Sequence, residues 1–180
     1  PTYNRGHLLN NLYNTLTVQK FKDFEWLIVD DGSNDNTEII VNKFIDENKV
    51  NINYIKKENG GKHTALNIAI DSAKGELFWI VDSDDFIVED ALEIVWKWWS
   101  EIEDKDNFAG VAGLRGYDKN TIIGNCAENQ YLDADYLEYR YKYKIKGDKA
   151  EVYRTDILRE NKFPEFQGEK YVTEATVWNR

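Results

Sequence analysis

Helical and strand-like hydrophobic patterns alternate along the first hundred residues of the chain. After Asn4, leucines recur at helical spacing, at Leu8, Leu9, Leu12 and Leu16. Three short apolar runs rich in strand-forming residues follow, at 24–29, 52–55 and 77–81. The segments between these runs carry apolar residues on one side of a predicted helix, and a further helix is predicted after the third run. The pattern therefore predicts an α/β domain.

Acidic residues end two of these apolar runs abruptly. The first run leads into Asp30-Asp31-Gly32-Ser33, and the third leads into Asp82-Ser83-Asp84-Asp85. Apolar strands that alternate with helices are typical of a parallel sheet covered on both faces. Ligands bind to such sheets beyond the carboxyl ends of the strands. We therefore expect the two acidic clusters to share one cleft.

The second half of the chain is less regular. A strand is predicted at 108–114, a short helix around 156–159, and the start of a helix at 171–178. Strict alternation at 140–146 predicts a strand with one basic and one aromatic face. An ordinary amphipathic strand with solvated lysines is one interpretation of this segment. A face that meets an anionic acceptor or a lipid-phosphate carrier at a membrane is the alternative.

The charge of the chain is concentrated in its first part. The 180 residues have a formal net charge of −10, and residues 1–105 hold 20 acidic and 11 basic side chains, a net of −9. Residues 106–180 hold 13 and 12, a net of −1. The acidic excess argues against nucleic-acid binding, which depends on a cationic surface.

Three further features of the composition bear on class and location. No run approaches the roughly 18 consecutive apolar residues that a membrane span needs. The single cysteine, Cys126, excludes an internal disulfide and fits a reducing compartment. The chain has no methionine and begins with Pro1, so we expect it to be a piece of a longer protein.

Two segments carry candidate chemistry. Carboxylates two positions apart at a strand end, such as Asp82 and Asp84, can converge on Mg²⁺ or Mn²⁺, which prefer oxygen ligands. A solvated acidic turn that caps the following helix is the simpler alternative. In Asn59-Gly60-Gly61-Lys62-His63, backbone N–H groups at a helix start could face a phosphate, with Lys62 as counter-charge. Neither the P-loop nor the dinucleotide-binding glycine spacing is present.

Four motifs in order give the chain a resemblance to family 2 glycosyltransferases. They are Pro1-Thr2-Tyr3-Asn4-Arg5, Asp30-Asp31-Gly32-Ser33 with Asp35 and Thr37, the helix start from Gly61 to Asn67 with Ala65, and Asp82-Ser83-Asp84-Asp85. The resemblance implies a GT-A-type three-layer sandwich, with helices on both faces of a mostly parallel central sheet. In the family a first strand precedes the Pro-Thr-Tyr-Asn motif, and we expect that strand to be missing here.

The resemblance also implies roles for individual residues. Thr2 and Tyr3 would line the nucleotide pocket, and Asp31 would hydrogen-bond the base, supported by Asp30. Lys62 and Ser83 are further donor-site candidates, and Asp82 would sit near the ribose. Asp84 would bind Mn²⁺ or Mg²⁺ through the diphosphate, with Asp85 as the other candidate ligand. An acidic cleft would repel a bare nucleotide diphosphate, so we expect the reaction to need this cation.

The expected reaction is inverting transfer of a sugar from a nucleotide-diphosphate sugar, UDP-linked in our expectation, to an acceptor hydroxyl. In the family a Glu-Asp pair late in the chain provides the catalytic base. Here Glu174 stands at the Asp position of that pair, Thr173 replaces the Glu, and Glu169 is the competing carboxylate. Asp148 is a weaker candidate for acceptor contacts.

The resulting hypothesis is a metal-dependent glycosyltransferase of bacterial cell-surface polysaccharide or glycan synthesis. Residues 1–105 would form the donor half and residues 106–180 the acceptor half of one domain. The acceptor would be a glycan or a lipid-linked sugar, in the cytoplasm or at the inner face of the membrane, without nucleic acid. The alternatives are another metal-dependent phosphate enzyme on a doubly wound sheet, such as a nucleotidyltransferase or receiver, and a non-catalytic carbohydrate-binding relic.

Overall fold

A computed structural model describes residues 1–118, 120–127 and 131–178 of the chain. Six α-helices and five strands occur in this part, with short 3₁₀ turns at Gly6–Leu8 and Lys105–Asn107. In chain order they are α1 (Leu9–Thr17), β1 (Trp26–Asp30), α2 (Thr37–Glu47), β2 (Ile52–Lys56), α3 (Lys62–Ser72), β3 (Leu77–Trp79), α4 (Ala91–Glu101), β4 (Gly110–Leu114), β5 (Lys149–Arg154), α5 (Thr155–Glu160) and α6 (Ala175–Trp178). The alternating elements predicted from the hydrophobic pattern are confirmed, with ends shifted by a few residues. No helix in these ranges has the length and apolar character to cross a membrane.

Helices cover the strands on both faces, because successive strand residues point to opposite sides. In β1, Ile28 belongs to a core cluster with Leu12 and Phe44, on the side of α1 and α2. Its neighbour Val29 belongs to a second cluster with Leu66, on the side of α3. This arrangement is the predicted three-layer α/β architecture.

The strands form two sheets. β1 and β2 are parallel, from Trp26 opposite Ile52 to Asp30 opposite Lys56, and Thr2 adds a parallel bridge to Asp30. The other sheet has the order β3-β5-β4, with β5 antiparallel to both neighbours. Since both neighbours are antiparallel to β5, β3 and β4 run parallel to each other and end at the same edge.

The pairing of β3 differs from the expectation. The sequence predicted a parallel ladder through all three apolar runs, but in the described ranges β3 pairs only with β5. A cavity of about 450 Å³ between β1 and the segment 77–81 is lined by residues of both, including Ile28 and Trp79. An apolar run indicates that a strand is buried, but it does not specify its neighbour.

The predicted strand at 140–146 is wrong. The chain forms a single π-helical turn at Glu138–Lys142. The Arg140 guanidinium lies over the rings of Tyr136 and Tyr139, at 5.4 and 5.0 Å from their centroids. Lys142 forms an ion pair with Glu138 four residues before it. These local pairs favour a helical turn, so the alternating basic and aromatic faces of a strand do not form.

Asn67 of α3 holds the segment that follows α5. Its side-chain amide donates to the carbonyl of Phe163 at 2.9 Å and accepts from the N–H of Phe163 at 2.9 Å. It also donates to Glu165 at 2.7 Å. The side chain is buried, so these bonds are shielded from water. Asn67 therefore connects the helix after the glycine loop to the last part of the chain.

We expect Asn67→Ala to lower the free energy of unfolding by about 1–3 kcal/mol, because buried polar groups lose their partner. Urea denaturation measures the change. Asn42→Ala, on an exposed position of α2, is the matched control, with an expected change within about 0.5 kcal/mol. Equal effects of the two substitutions would contradict the anchoring role of Asn67.

Candidate active site

The end of β1 carries two adjacent carboxylates with different environments. Asp30 is fully buried and accepts hydrogen bonds from the Tyr54 hydroxyl at 2.7 Å and the Ser33 N–H at 2.8 Å. Its side chain thus ties β1 to β2 and shapes the turn after β1. The supporting role of Asp30 stays a prediction, and its buried carboxylate is engaged by Tyr54 and Ser33.

Asp31 organises the loop between β2 and α3. One carboxylate oxygen accepts from Lys57 Nζ at 2.7 Å and from the N–H of Gly60 at 2.9 Å. The other accepts from Asn59 Nδ2 at 3.0 Å and from the N–H of Gly61 at 2.7 Å. These four donors occupy the acceptor sites of an ionised carboxylate.

The pKa of Asp31 reflects the same contacts. Burial opposes the charged form, but hydrogen bonds from Gly60, Lys57 and Gly61, together with the charge of Lys57, outweigh it. They hold the pKa of Asp31 below its usual value. The loop that begins α3 is therefore fixed by a carboxylate that stays ionised.

The amino-terminal segment runs beside this turn. Thr2 is buried, donates its N–H to Val29 at 2.9 Å and accepts from the N–H of Asp31 at 2.9 Å. Tyr3 is 45% exposed, and Asn4 has a positive φ of 52° and donates its N–H to Ser33 Oγ. Tyr3 is thus an accessible aromatic ring, next in the chain to a residue held against Asp31.

The acidic turn after β3 is matched by three cations from three different elements. Lys62 Nζ lies 2.6 Å from Asp82, and Arg5 lies 3.3 Å from Asp84. Arg115, directly after β4, pairs with Asp85. Ser83 is buried within the turn. Because Lys62 also pairs with Glu174, three cations face four carboxylates, and the ion pairs offset most of the negative charge but not all of it.

The described residues contain no group of three or more His, Cys, Asp or Glu side chains arranged to hold a metal ion. Asp84 and Asp85 nevertheless suit a cation that is shared with a ligand. Both are partly accessible oxygen donors, and Mg²⁺ is usually held by one or two carboxylates plus substrate phosphates and water. Burial raises the pKa of Asp85. The negative charges of Asp82 and Asp84 raise it further, and the positive charge of Arg115 lowers it.

Lys62 connects the acidic turn to the late carboxylate Glu174. Its ammonium lies 2.6 Å from Asp82 and 2.7 Å from Glu174, so those two carboxylate oxygens are at most 5.3 Å apart. Burial opposes the charge on Lys62, but its hydrogen bonds to Asp82 and Glu174 raise its pKa. The structure thus places a first-half and a second-half candidate around one cation.

The segment before Glu174 is held against the glycine loop. Lys170 Nζ donates to Asn59 Oδ1 at 2.6 Å. Gly61 has a φ of +97°, and a Cβ there would lie 2.1 Å from the carbonyl oxygen of Lys170. Only glycine permits this approach of the two backbones. The loop shaped by Asp31 therefore supports the segment that carries Glu174.

Two other predicted residues lie apart from this cluster. Glu169 is exposed and accepts from the N–H of Tyr171 at 2.8 Å. Asp148 is exposed just before β5. In the described ranges, no hydrogen bond or ion pair links either of them to Lys62 or to the acidic turn.

The sequence analysis assigned no individual role to four residues of this region. Arg5 and Asn59 lie within the motifs given above, whereas Lys57 and Arg115 lie outside them. Lys57, Asn59 and Arg115 follow strands, where ligands collect in α/β folds. Polar residues directly after each predicted strand were the available signal for Lys57, Asn59 and Arg115.

Comparison with known proteins identifies the family. The family model "Glycosyl transferase family 2" matches residues 1–161. The chain therefore belongs to glycosyl transferase family 2, and the fold is of the GT-A type.

Individual relatives support the assignment. Poly(ribitol-phosphate) beta-N-acetylglucosaminyltransferase TarS of Staphylococcus aureus is 28% identical over 169 residues, which are 92% of this chain and 29% of TarS. GalNAc(5)-diNAcBac-PP-undecaprenol beta-1,3-glucosyltransferase of Campylobacter jejuni is 29% identical over 193 residues, covering 99% of this chain and 56% of that enzyme. The chain thus spans between about a third and about half of these relatives.

Solved structures show the same similarity. The crystal structure of S. aureus TarS 1–349 in complex with UDP-GlcNAc has a TM-score of 0.67 at 26% identity. The match covers 92% of this chain and 47% of the TarS chain in that structure. TarS 1–349 without a named ligand has a TM-score of 0.69 and covers 99% of this chain and 51% of that chain.

We expect Asp31→Asn to lower the free energy of unfolding by about 1.5–3 kcal/mol at neutral pH, since it removes charged hydrogen bonds. A carboxylate with a lowered pKa stabilises the fold above its unfolded pKa of about 4, and this contribution is lost as the pH falls through the folded pKa. The difference between wild type and variant should therefore be constant above about pH 5 and shrink below about pH 4.

Urea denaturation at a series of pH values measures this difference. Asp46→Asn, on an exposed position of α2, is the control and should change stability little at any pH. A difference for Asp31→Asn that stays constant down to pH 3 would contradict the role assigned to its charge.

Proposed function

We propose that the chain contains the donor site and catalytic base of a glycosyltransferase that moves a sugar from a nucleotide-diphosphate sugar to an acceptor hydroxyl with inversion. A UDP-linked donor is supported by the similarity to TarS, whose structures include complexes with UDP and UDP-GlcNAc. The names of the relatives support a role in bacterial cell-surface polysaccharide or glycan synthesis.

The bridge from Lys62 to Asp82 and Glu174 is the observation that carries this proposal. A transferase must bring the donor sugar and the base that activates the acceptor within a few ångströms of each other. In this chain the residue proposed near the ribose and the residue proposed as base share one cation. The proposed donor and acceptor halves would therefore meet at Lys62.

Donor binding is assigned to the edge formed by the ends of β1, β2 and β3. Tyr3 offers an exposed ring for the nucleobase, and Thr2 lies beside it. Among the four donors to Asp31, Lys57 has the longest and most adaptable side chain. If Lys57 released its hydrogen bond to Asp31, the carboxylate could accept one from the nucleobase instead. The bonds from Asn59, Gly60 and Gly61 would then keep the loop in place.

A divalent cation, Mn²⁺ or Mg²⁺, would be held by Asp84 and Asp85 together with the diphosphate. Bound there, it would supply positive charge against the negative charge that grows on the leaving nucleotide diphosphate. Arg5 and Arg115 flank these two carboxylates.

Glu174 is the proposed general base. Its carboxylate, held by Lys62 at 2.7 Å, can accept a proton from the acceptor hydroxyl as that oxygen attacks the anomeric carbon in line. A base of this kind contributes about 10²–10⁴-fold to the rate. Because Glu174 precedes α6 and is held through Lys62, its position depends on the glycine loop.

The acceptor is proposed to be a glycan or a lipid-linked sugar. The names of relatives include poly(ribitol-phosphate) and a diphospho-undecaprenol-linked glycan as the molecules they act on. An exposed free thiol at Cys126 fits a reducing compartment, which supports a cytoplasmic location. The basic strand that suggested a membrane-facing surface is a π-helical turn, so that peripheral membrane contact has no support from a basic strand face.

Thermal unfolding with a panel of nucleotide sugars, with and without Mn²⁺, tests the donor assignment. We expect one nucleotide class to stabilise the wild-type protein only with Mn²⁺, because ligand binding to the folded state raises the melting temperature. Asp84→Asn should lose this metal-dependent stabilisation. Asp46→Asn should retain it. Equal stabilisation with and without Mn²⁺ would contradict the metal site, and no stabilisation by any nucleotide sugar would contradict the function.

We expect Glu174→Gln to lower the transfer rate by about 10²–10⁴-fold, since the amide cannot take the proton. Donor binding, measured as the thermal shift with Mn²⁺, should persist. Glu169→Gln decides which of the two late carboxylates is the base. If Glu174 is the base, this variant should retain the transfer rate. Near-normal transfer by Glu174→Gln together with loss in Glu169→Gln would reverse the assignment.

A further inference from the structure

The three cations at the acidic turn differ in how they are held. Lys62 is shared between Asp82 and Glu174, so it is committed to joining the two halves. Arg5 approaches Asp84 at 3.3 Å, and both side chains are about half exposed. Arg115 forms an ion pair with Asp85, and both of those side chains are only about one-third exposed. The Arg115–Asp85 pair is thus the most sheltered of the three.

The backbone of Arg115 is fixed while its side chain reaches into the site. The residue follows β4 directly, and its carbonyl oxygen accepts from the N–H of Ile123 at 2.8 Å. β4 runs parallel to β3, so Arg115 and the acidic turn project from the same edge of the sheet. The side chain of Arg115 is therefore anchored at a rigid strand end, and its guanidinium extends towards Asp85.

A pair of this kind is poorly explained as a stabilising contact alone. Ion pairs near the surface contribute about 0–1 kcal/mol, because water competes and two long side chains are ordered. Asp85 is also a proposed ligand for the divalent cation, and one carboxylate cannot serve both positive charges equally well. The Arg115 guanidinium contacts one oxygen of Asp85, so a divalent cation at this carboxylate is repelled by a neighbouring positive charge.

We propose that Arg115 is a donor-site residue that changes partner. In the free protein its guanidinium neutralises Asp85. When a divalent cation and a nucleoside diphosphate bind, the cation takes Asp85 and the guanidinium turns to the diphosphate oxygens. The planar guanidinium has two parallel N–H groups that match such oxygens. This inference rests on the proposed function, and it adds a residue that the sequence motifs do not contain.

The exchange predicts opposite effects on two ligands. In Arg115→Gln, Mn²⁺ alone should bind more tightly, because Asp85 has lost its competing cation. UDP in saturating Mn²⁺ should bind about 10–100-fold more weakly, because a charged hydrogen-bond donor to the diphosphate is lost. A purely structural role would weaken both or neither. Isothermal titration calorimetry measures the two dissociation constants on the intact chain.

Two further variants sharpen the test. Arg154→Gln removes an arginine that pairs with Asp156 at the opposite end of β5, and it should change neither constant. Arg115→Lys keeps the charge without the paired N–H groups, so Mn²⁺ should bind as in wild type and UDP should bind with an intermediate constant. Melting temperatures of all variants show whether each is folded.

The outcomes separate this inference from the proposed function. Tighter Mn²⁺ with weaker UDP in Arg115→Gln supports the exchange. A wild-type protein that binds UDP with Mn²⁺, while both constants are unchanged in Arg115→Gln, overturns the exchange and leaves the function standing. A Mn²⁺ constant that weakens in Arg115→Gln also overturns it. A wild-type protein that binds no UDP with Mn²⁺ overturns both.

Discussion

The Asp31 carboxylate is the constraint on which the site depends. It accepts four hydrogen bonds from the loop between β2 and α3, and these bonds bring Gly60 and Gly61 to the end of β1. That loop sets the start of α3 and hence the position of Lys62. Lys62 in turn holds Asp82 and Glu174. A single buried charge therefore positions residues that lie more than a hundred positions apart in the chain.

Charge compensation within the cleft follows from the same architecture. The acidic turn after β3 would be costly at a partly buried strand end if its three carboxylates lacked partners. Lys62, Arg5 and Arg115 come from three separate parts of the chain, so only the folded state assembles these ion pairs. Net charge along the sequence therefore gives little information about the local field that a ligand meets.

The sequence predicted the elements of the fold better than their partners. Apolar runs located the strands because burial on both faces leaves a continuous pattern, as in 24–29 and 77–81. The neighbour of β3 depends on β5, which follows about seventy residues later, and no local pattern encodes that pairing. The segment 140–146 misled because Arg140 packs on Tyr136 and Tyr139, two rings that precede the alternating residues, and this contact forms in a helical turn. The acidic clusters were visible at strand ends. Arg115 also directly follows a predicted strand, but only the direction of β4 brings it to the same edge as the acidic turn.

The close approach of Gly61 to Lys170 has a consequence for hybrids made from the halves of two related transferases. Transferases with different acceptors would be simplest to obtain by joining one donor half to another acceptor half. Here the backbone of the second half rests on a glycine of the first, at a distance that excludes any Cβ. A hybrid would need a matching glycine and a matching carbonyl from its two parents. Functional chimeras are therefore expected to have their junction outside the paired segments, with residues 59–62 and 166–174 inherited together.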